Sequence, residues 1–255
     1  MEVSKARAIV TGAGSGIGLA TARALLQGGS PAVGLLVRRQ ESYDAALAEL
    51  AEEADAERLV PLIADVRDAD ALKAAFEYFM ESAGKLDVLV NNAGVLLDGA
   101  AVSFSFKGVT RYPLESLRET FDTNLMGSFL CAQLGAEHML RKRSKGVIIN
   151  ISSVSRNGRP GQAAYSASKG GIVSMTSTLA QELAPFKIRC AAIAPGLIAT
   201  PMAERIPEVY RKEMLSSSAA GRMGQPEEIG HGVIFCIEND FFNGSVLELD
   251  GGAFG

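Results

Sequence analysis

The sequence predicts a doubly wound α/β fold over residues 1–255, a parallel sheet of about seven strands with helices on both faces. Two observations lead there. Short apolar runs alternate with helical periods from end to end, and a glycine-rich turn joins the first run to the first helical period. Strands covered on both faces read as continuous apolar runs, and a parallel neighbour requires a crossover helix. No Pro/Ser-rich linker, repeat or low-complexity tract divides the chain, so a single domain is expected. The 47% hydrophobic content supplies a core, and 21% charged residues argue against disorder.

The elements follow in order. Ala8 to Val10 is the first strand, and Ile17, Ala20, Ala24 and Leu25 share a helical face that Gly28-Gly29 stops. Ala32 to Val37 is the second strand, followed by a helical stripe of Leu47, Leu50, Ala51 and Ala54. Leu59 to Ile63 is the third, and Leu72, Ala75, Phe76, Phe79 and Met80 then recur at helical spacing. Leu86 to Val90 is the fourth, leading into Asn91-Asn92-Ala93-Gly94. A helix is expected from near Pro113 past Asn124. It is apolar on more than one face through Leu114, Leu117, Phe121, Leu125, Met126 and Phe129, which suits either a subunit interface or burial within one chain. Gly146 to Ile151, Ile188 to Ile193 and Val246 to Leu249 complete the sheet, with a helix carrying Tyr165 after the fifth strand.

Several function classes are disfavoured. A net charge of −4 gives no global reason to expect nucleic acid or membrane partners. The start has no signal-peptide core and no segment is an apolar span of about twenty residues, so a cytoplasmic protein is expected. Cys131, Cys190 and Cys236 are odd in number and widely spaced, fitting buried thiols in a reducing compartment. His138 and His231 have no ligand cluster at metal spacing, and no metal is expected.

The turn Val10-Thr11-Gly12-Ala13-Gly14-Ser15-Gly16-Ile17-Gly18 carries the first chemical signal. Its glycines let backbone N–H groups approach a pyrophosphate at the positive end of a helix, which points to a dinucleotide. No Asp or Glu stands between Gly18 and Glu41, where an acid would hold a ribose 2′-hydroxyl. Arg38 and Arg39 stand there instead, offering multi-donor cations to a 2′-phosphate. NADP(H) is therefore the expected cofactor, with NAD(H) the alternative.

TGAGSGIG, NNAG, Y-S-A-S-K and I-A-P-G, in that order, resemble the short-chain dehydrogenase/reductase family over essentially the whole chain. The resemblance implies a Rossmann-type sheet, an NAD(P)-dependent exchange of hydride between a ketone and a secondary alcohol, and a homotetramer. It implies cofactor contacts at Gly12, Ser15, Gly16, Ile17 and Gly18, and at Asp65 and Val66 beside the adenine. It implies further contacts from Asn92, Ala93 and Gly94, with Asn91 supporting the adenosine ribose and the central sheet. Pro195, Gly196, Ile198 and Thr200 would meet the nicotinamide amide, and Lys169 the ribose hydroxyls.

Tyr165 and Lys169 lie one helical turn apart amid small residues. A carbonyl accepting hydride needs a proton on oxygen, and a free phenol with pKa of ~10 is a poor donor–acceptor at neutral pH. An adjacent ammonium favours the phenolate, so Tyr165 is read as the proton donor and Lys169 as its tuner. Asn124 matches the family asparagine that orders a water beside the lysine. For the carbonyl-polarising serine, family spacing selects Ser152 and the pattern N-I-S-S selects Ser153; Ser153 is taken.

Residues 200–224 form either a substrate lid or a peripheral helix. The stretch from Leu96 through Lys107 and Gly108 is longer than most family members carry; it lines an extended pocket or packs on the surface. With GQAAYSASKGGIVSMT, LAPFKIR, APGLIATPM and IENDFFNGSVLELDG, it resembles the branch of type II 3-hydroxyacyl-CoA dehydrogenases, which also act on hydroxysteroids. A 3-oxoacyl thioester is the leading substrate. An NAD-dependent hydroxyacyl-CoA or hydroxysteroid dehydrogenase, a reductase of hydrophobic or aryl ketones, and a non-enzymatic NADP-binding sensor are the alternatives.

Overall fold

The computed structural model describes residues 1–53, 56–106 and 108–252. Ala54 and Lys107, named above, lie outside the described residues. The strands are β1 (Arg7–Thr11), β2 (Ala32–Val37), β3 (Leu59–Ile63), β4 (Val88–Asn91), β5 (Val102–Ser105), β6 (Gly108–Arg111), β7 (Val147–Ile151), β8 (Arg189–Pro195) and β9 (Val246–Leu249). The α-helices are α1 (Gly16–Gln27), α2 (Gln40–Glu49), α3 (Ala69–Ala83), α4 (Leu114–Phe121), α5 (Gly127–Arg141), α6 (Ala163–Leu183), α7 (Pro201–Glu204), α8 (Glu208–Ser216) and α9 (Pro226–Glu238).

Seven strands form one parallel sheet in the order β3-β2-β1-β4-β7-β8-β9. Chain order reverses between β1 and β4, and a doubly wound sheet opens its ligand crevice at that switch point, beyond the carboxyl ends of the strands. Alternate residues feed two cores. Ala8 and Val10 of β1 pack with α1 and α9 through Leu25, Val233 and Ile237, whereas Ile9 packs with α3 and α5 through Phe76, Phe79 and Met139. Asp68 caps α3 by accepting from the Asp70 and Ala71 amides, and Gly84 ends it in the left-handed region at φ 79°.

Three local departures from the sequence reading matter. The second helix ends at Glu49, with Leu50 fully buried beyond it, so Ala51 follows the helix instead of extending its stripe. The helix expected from Pro113 contains a five-residue π-helical turn at Asp122–Met126, which includes Asn124. The stretch after NNAG forms an antiparallel hairpin, β5–β6, with Val102, Phe104 and Val109 exposed. These three side chains neither pack on the domain nor line the cleft, whereas Leu96 at the start of the stretch does line it.

A buried amide chain ties the sheet to α6. Asn91 Nδ2 donates to Asn150 Oδ1 at 2.9 Å and to the Ser128 carbonyl at 3.1 Å. Asn150 Nδ2 in turn donates to Thr176 Oγ1 at 2.9 Å. Asn91 thus faces the core and ties two strands of the central sheet together. Asn150→Ala removes one of the two acceptors of Asn91 Nδ2 and the donor to Thr176 Oγ1 in a buried setting, leaving each with one partner. It is expected to cost about 2–4 kcal/mol in urea unfolding.

Candidate active site

The glycine turn is shaped by contacts that tolerate no side chain. A Cβ on Gly18 would lie 2.2 Å from the Gly12 carbonyl oxygen, and Gly12 holds a left-handed φ of 65°. Asn92 fixes the turn by donating Nδ2 to the carbonyls of Thr11 at 3.0 Å and Gly12 at 3.2 Å. Thr11 Oγ1 returns the tie by accepting the amides of Asn92 and Ala93, each at 3.0 Å. The amides of Gly16, Ile17 and Gly18 open α1 and precede its first i to i−4 bond, from Leu19 to Ser15. Ser15 is extended and its hydroxyl makes no capping bond. A narrow backbone cradle at a helix N-terminus fits the pyrophosphate of a dinucleotide.

Beyond the cradle lies a cleft lined by Ile17, Asn92, Gly94, Ser152, Ser153, Tyr165, Lys169 and the segment from Pro195 to Ile198 with Thr200. Ile198 makes a bridge to Gly224 through its neighbours: Gly224 donates to the Leu197 carbonyl at 2.9 Å, and Ala199 donates to the Gly224 carbonyl at 2.8 Å. In a parallel bridge of this kind, the amide and carbonyl of Ile198 face away from Gly224. Thr200 caps α7, accepting from the Ala203 amide at 3.3 Å. Both ends of residues 200–224 are therefore tied at one point, and Met202, Ala203, Ile206 and Met214 from this segment line the cleft.

Tyr165 and Lys169 come from the first two turns of α6, and the two serines from the end of β7. Lys169 Nζ is buried and donates to the Ile151 carbonyl at 2.8 Å; it stands 5.8 Å from the Tyr165 ring centroid. Ser152 Oγ donates to the Lys169 carbonyl at 2.9 Å, so its hydroxyl is committed to the helix. Ser153 is the serine hydrogen-bonded to the Tyr165 phenol, and its Oγ also accepts the Ser155 amide at 3.1 Å.

The electrostatics reverse one expectation. Burial pushes Tyr165 up to about 12, opposed by the Ser153 hydrogen bond and reinforced by the charge of Asp98. Burial also brings Lys169 down to about 8. Lys169 therefore does not draw the phenol towards neutrality in this structure, because desolvation penalises both charged forms.

Asn124 is held by its side chain between two segments. It is fully buried; Oδ1 accepts the Val95 amide at 2.8 Å, and Nδ2 donates to the Val95 carbonyl at 3.0 Å and Ser168 Oγ at 3.1 Å. It clamps the chain after Gly94 to α6. A Cβ on Gly94 would lie 3.2 Å from Asn124 Oδ1 and 3.6 Å from Lys169 Nζ, so this glycine sits between the two groups.

Arg38 and Arg39 are exposed after β2, close to the glycine turn through Val37 and Ser42, which flank Gly14. Asp65 accepts from Arg67 Nε at 3.0 Å and Nη2 at 2.7 Å. This pairing holds its carboxyl below the usual range, with a smaller contribution from Arg38. Val66 turns its side chain against Gly127, leaving only its backbone for an adenine contact. Sequence reasoning missed Thr11, Val95, Asp98, Gln162 and Ser168. Their roles arise from hydrogen bonds between distant segments, for which no local motif exists.

A dinucleotide cradle opening onto a Ser–Tyr–Lys cluster at the switch point defines a class of nicotinamide-dependent oxidoreductases. The chain belongs to the short-chain dehydrogenase family, which it matches over residues 6–211. It is 37% identical over 249 residues to the 3-oxoacyl-[acyl-carrier-protein] reductase FabG of Thermotoga maritima, covering 96% of each chain. It is 39% identical over 251 residues to the human 3-hydroxyacyl-CoA dehydrogenase type-2, covering 96% of this chain and 93% of that one. A crystal structure of a short-chain type dehydrogenase/reductase from Mycobacterium marinum superposes with a TM-score of 0.90 at 29% identity, covering 98% and 96% of the two chains. The protein is accordingly an oxidoreductase enzyme of this family. Among the described residues, no helix is long and apolar enough to cross a membrane.

The buried ammonium carries a thermodynamic consequence. Because Lys169 has a lower pKa folded than unfolded, the unfolded chain binds more protons between about 8 and 10.5, and its cost to stability diminishes as pH rises through that window. Lys169→Met is expected to raise stability at pH 7 by about 1–3 kcal/mol. The gain over wild type should shrink between pH 8 and 10.5, as measured by urea unfolding.

Proposed function

We propose that the protein is an NADP(H)-dependent oxidoreductase that interconverts a 3-oxoacyl thioester and its 3-hydroxy counterpart. The observation that carries the chemistry is the Tyr165 phenol bonded to Ser153 and followed one turn later by buried Lys169. A bound nicotinamide supplies or accepts the hydride. Ser153 holds the carbonyl oxygen beside the phenol, and Tyr165 donates the proton that this oxygen requires. Lys169, anchored on Ile151, faces the ribose side of the cleft and answers the charge left when the phenol gives up its proton. Asn124 keeps Val95 and Ser168 in register, which fixes the wall on which the cofactor would lie. Gly12, Ser15, Gly16, Ile17 and Gly18 hold the pyrophosphate; Asp65 and Val66 border the adenine. Asn92, Ala93 and Gly94 form the floor, and Pro195, Gly196, Ile198 and Thr200 take the nicotinamide amide.

The cofactor reading rests on the two exposed arginines after β2 and on the lack of an acid there. The substrate reading draws on the relatives, whose names specify a 3-oxoacyl-[acyl-carrier-protein] reductase and a 3-hydroxyacyl-CoA dehydrogenase. We assign residues 200–224 to a lid, since both ends meet at the Ile198–Gly224 bridge while Met202 and Met214 face the cleft. Three free, buried cysteines accord with a reducing, cytoplasmic setting.

The test is oxidation of NADPH and NADH in parallel with acetoacetyl-CoA. Turnover is expected to favour NADPH and to vanish in Tyr165→Phe. Arg38→Ala is expected to raise the KM for NADPH about tenfold or more, the scale of one charge-assisted phosphate contact, and to leave that for NADH unchanged. Preference for NADH would overturn the cofactor assignment; failure of the thioester with normal cofactor binding would overturn the substrate.

Leu114, Leu117, Met126 and Phe129 are exposed on α4, the π turn and α5, and we assign them to a homotetramer interface. A Met126→Glu/Phe129→Glu variant is expected to lower the mass measured by light scattering while keeping a cooperative unfolding transition.

A further inference from the structure

A second cavity, of about 710 Å³, lies at the amino ends of β4, β7 and β8, where the connections from α5 and α6 enter the sheet. Both connections are built alike. After α5, the Arg143 amide donates to the Leu140 carbonyl at 3.0 Å and the Ser144 amide to the Met139 carbonyl at 2.9 Å. After α6, the Lys187 amide donates to the Ala184 carbonyl at 2.9 Å and the Ile188 amide to the Leu183 carbonyl at 3.3 Å. Each turn holds one residue in the left-handed region, Arg143 at φ 50° and Lys187 at φ 62°, and among the described residues no other non-glycine residue adopts it. Glycine meets that backbone at no steric cost. Two long cations hold the position instead, at the entries of adjacent strands, and both line the cavity.

The charge of this cavity is largely uncompensated. Two acids line it, and a cation answers each. Asp87 is buried and accepts from Lys85 Nζ at 2.9 Å, Ser144 Oγ at 2.7 Å and the Arg7 amide at 3.0 Å. Asp240 stands 3.4 Å from Arg189, whose guanidinium also donates to the carbonyls of Cys236, Ile237 and Phe242. Lys142, Arg143, Lys145 and Lys187 remain. All four are exposed and line the cavity, and among the described residues none of them makes an ion pair. The carboxyl ends of the two helices bring about half a negative charge each, which favours a basic residue at each end and leaves most of the four unanswered.

We propose that this cavity is a second ligand site, which takes a small polyphosphate: a linear triphosphate chain, free or carried by a nucleoside. Four cations around one concave space match the charge of such a chain, and arginine and lysine hold phosphate oxygens through charge-assisted bonds. The volume lies within the range of small-molecule sites. A long nucleic acid fits less well, because a chain of net charge −4 repels it beyond the cavity itself. The site is separate from the dinucleotide cleft, which opens at the carboxyl ends of the strands. The five residues of β7 run from one to the other and span about 16 Å.

The experiment is isothermal titration of the whole chain with sodium tripolyphosphate, the cleft first being filled with the nicotinamide dinucleotide that it binds. One tripolyphosphate per chain is expected to bind, more weakly as salt is raised. An Arg143→Gly/Lys187→Gly variant removes two cations and gives both left-handed positions the residue that suits them, so it is expected to fold. Its Kd for tripolyphosphate should rise about tenfold or more, with the affinity for the dinucleotide unchanged. Parallel titrations with ATP and AMP identify the source of the phosphates. ATP bound more tightly than tripolyphosphate assigns the site to a nucleotide, and equal binding assigns it to the phosphate chain alone. AMP, with one phosphate, is expected to bind at least about tenfold more weakly than ATP.

Absence of binding at low salt, or binding that filling the cleft abolishes, would overturn the inference. So would a folded double variant that binds tripolyphosphate as well as the wild type, or AMP that binds as tightly as ATP. Capture of an RNA oligonucleotide without affinity for tripolyphosphate would replace the small ligand with a nucleic acid. If the double variant does not fold, Lys142→Ser/Lys145→Ser decides the matter by the same criterion.

Discussion

One buried ammonium governs the arrangement. Lys169 lies inside α6 and donates to the carbonyl of Ile151 at the end of β7. The strand replies through Ser152, whose hydroxyl donates to the Lys169 carbonyl. A charge taken from water demands such a partner, and meeting that demand locks a helix to a strand end in one register. Tyr165, one turn earlier, then meets the hydroxyl of Ser153. Asn124 reaches across from the π turn to the same helix through Ser168, and Gly94 leaves the space that lets the amide and ammonium approach. The π turn is thus part of the site: the irregularity occurs at the residue that must bridge two segments.

The same burial explains why both ionisable groups resist their charged forms. A tyrosine at about 12 and a lysine at about 8 describe a site with a protonated phenol at neutral pH. Such a phenol is already equipped to give a proton to a carbonyl oxygen, whereas alcohol oxidation begins with its loss. The sequence suggested an ammonium that draws the tyrosine down. That argument counted the charge and left out the solvent withdrawn from it, a quantity that depends on which residues close the cleft.

Much of the fold was legible because its signals are local or periodic. Strands β2, β3 and β9 appear at their predicted limits, since strands buried on both faces leave continuous apolar runs. Gly12 and Gly18 could be read as a turn because no larger residue fits there. The hairpin escaped prediction for the opposite reason: Val102, Phe104 and Val109 bury nothing in the domain, so their pattern resembled an irregular apolar loop. Ser153 and Ser152 are adjacent and chemically identical; only the direction of each hydroxyl, towards the phenol or into α6, tells them apart.

The relatives include both a reductase and a dehydrogenase, at 37% and 39% identity, so overall similarity does not decide the direction of the reaction. The Ser–Tyr–Lys cluster serves either direction, because each step is the reverse of the other. Direction then follows from whether the oxidised or the reduced cofactor is supplied, and so from the groups that choose the cofactor. Arg38 and Arg39 stand exposed after β2, beside the glycine turn through Val37 and Ser42. On the cofactor reading proposed above, two cations and no acid at that strand end suit a phosphorylated nicotinamide cofactor.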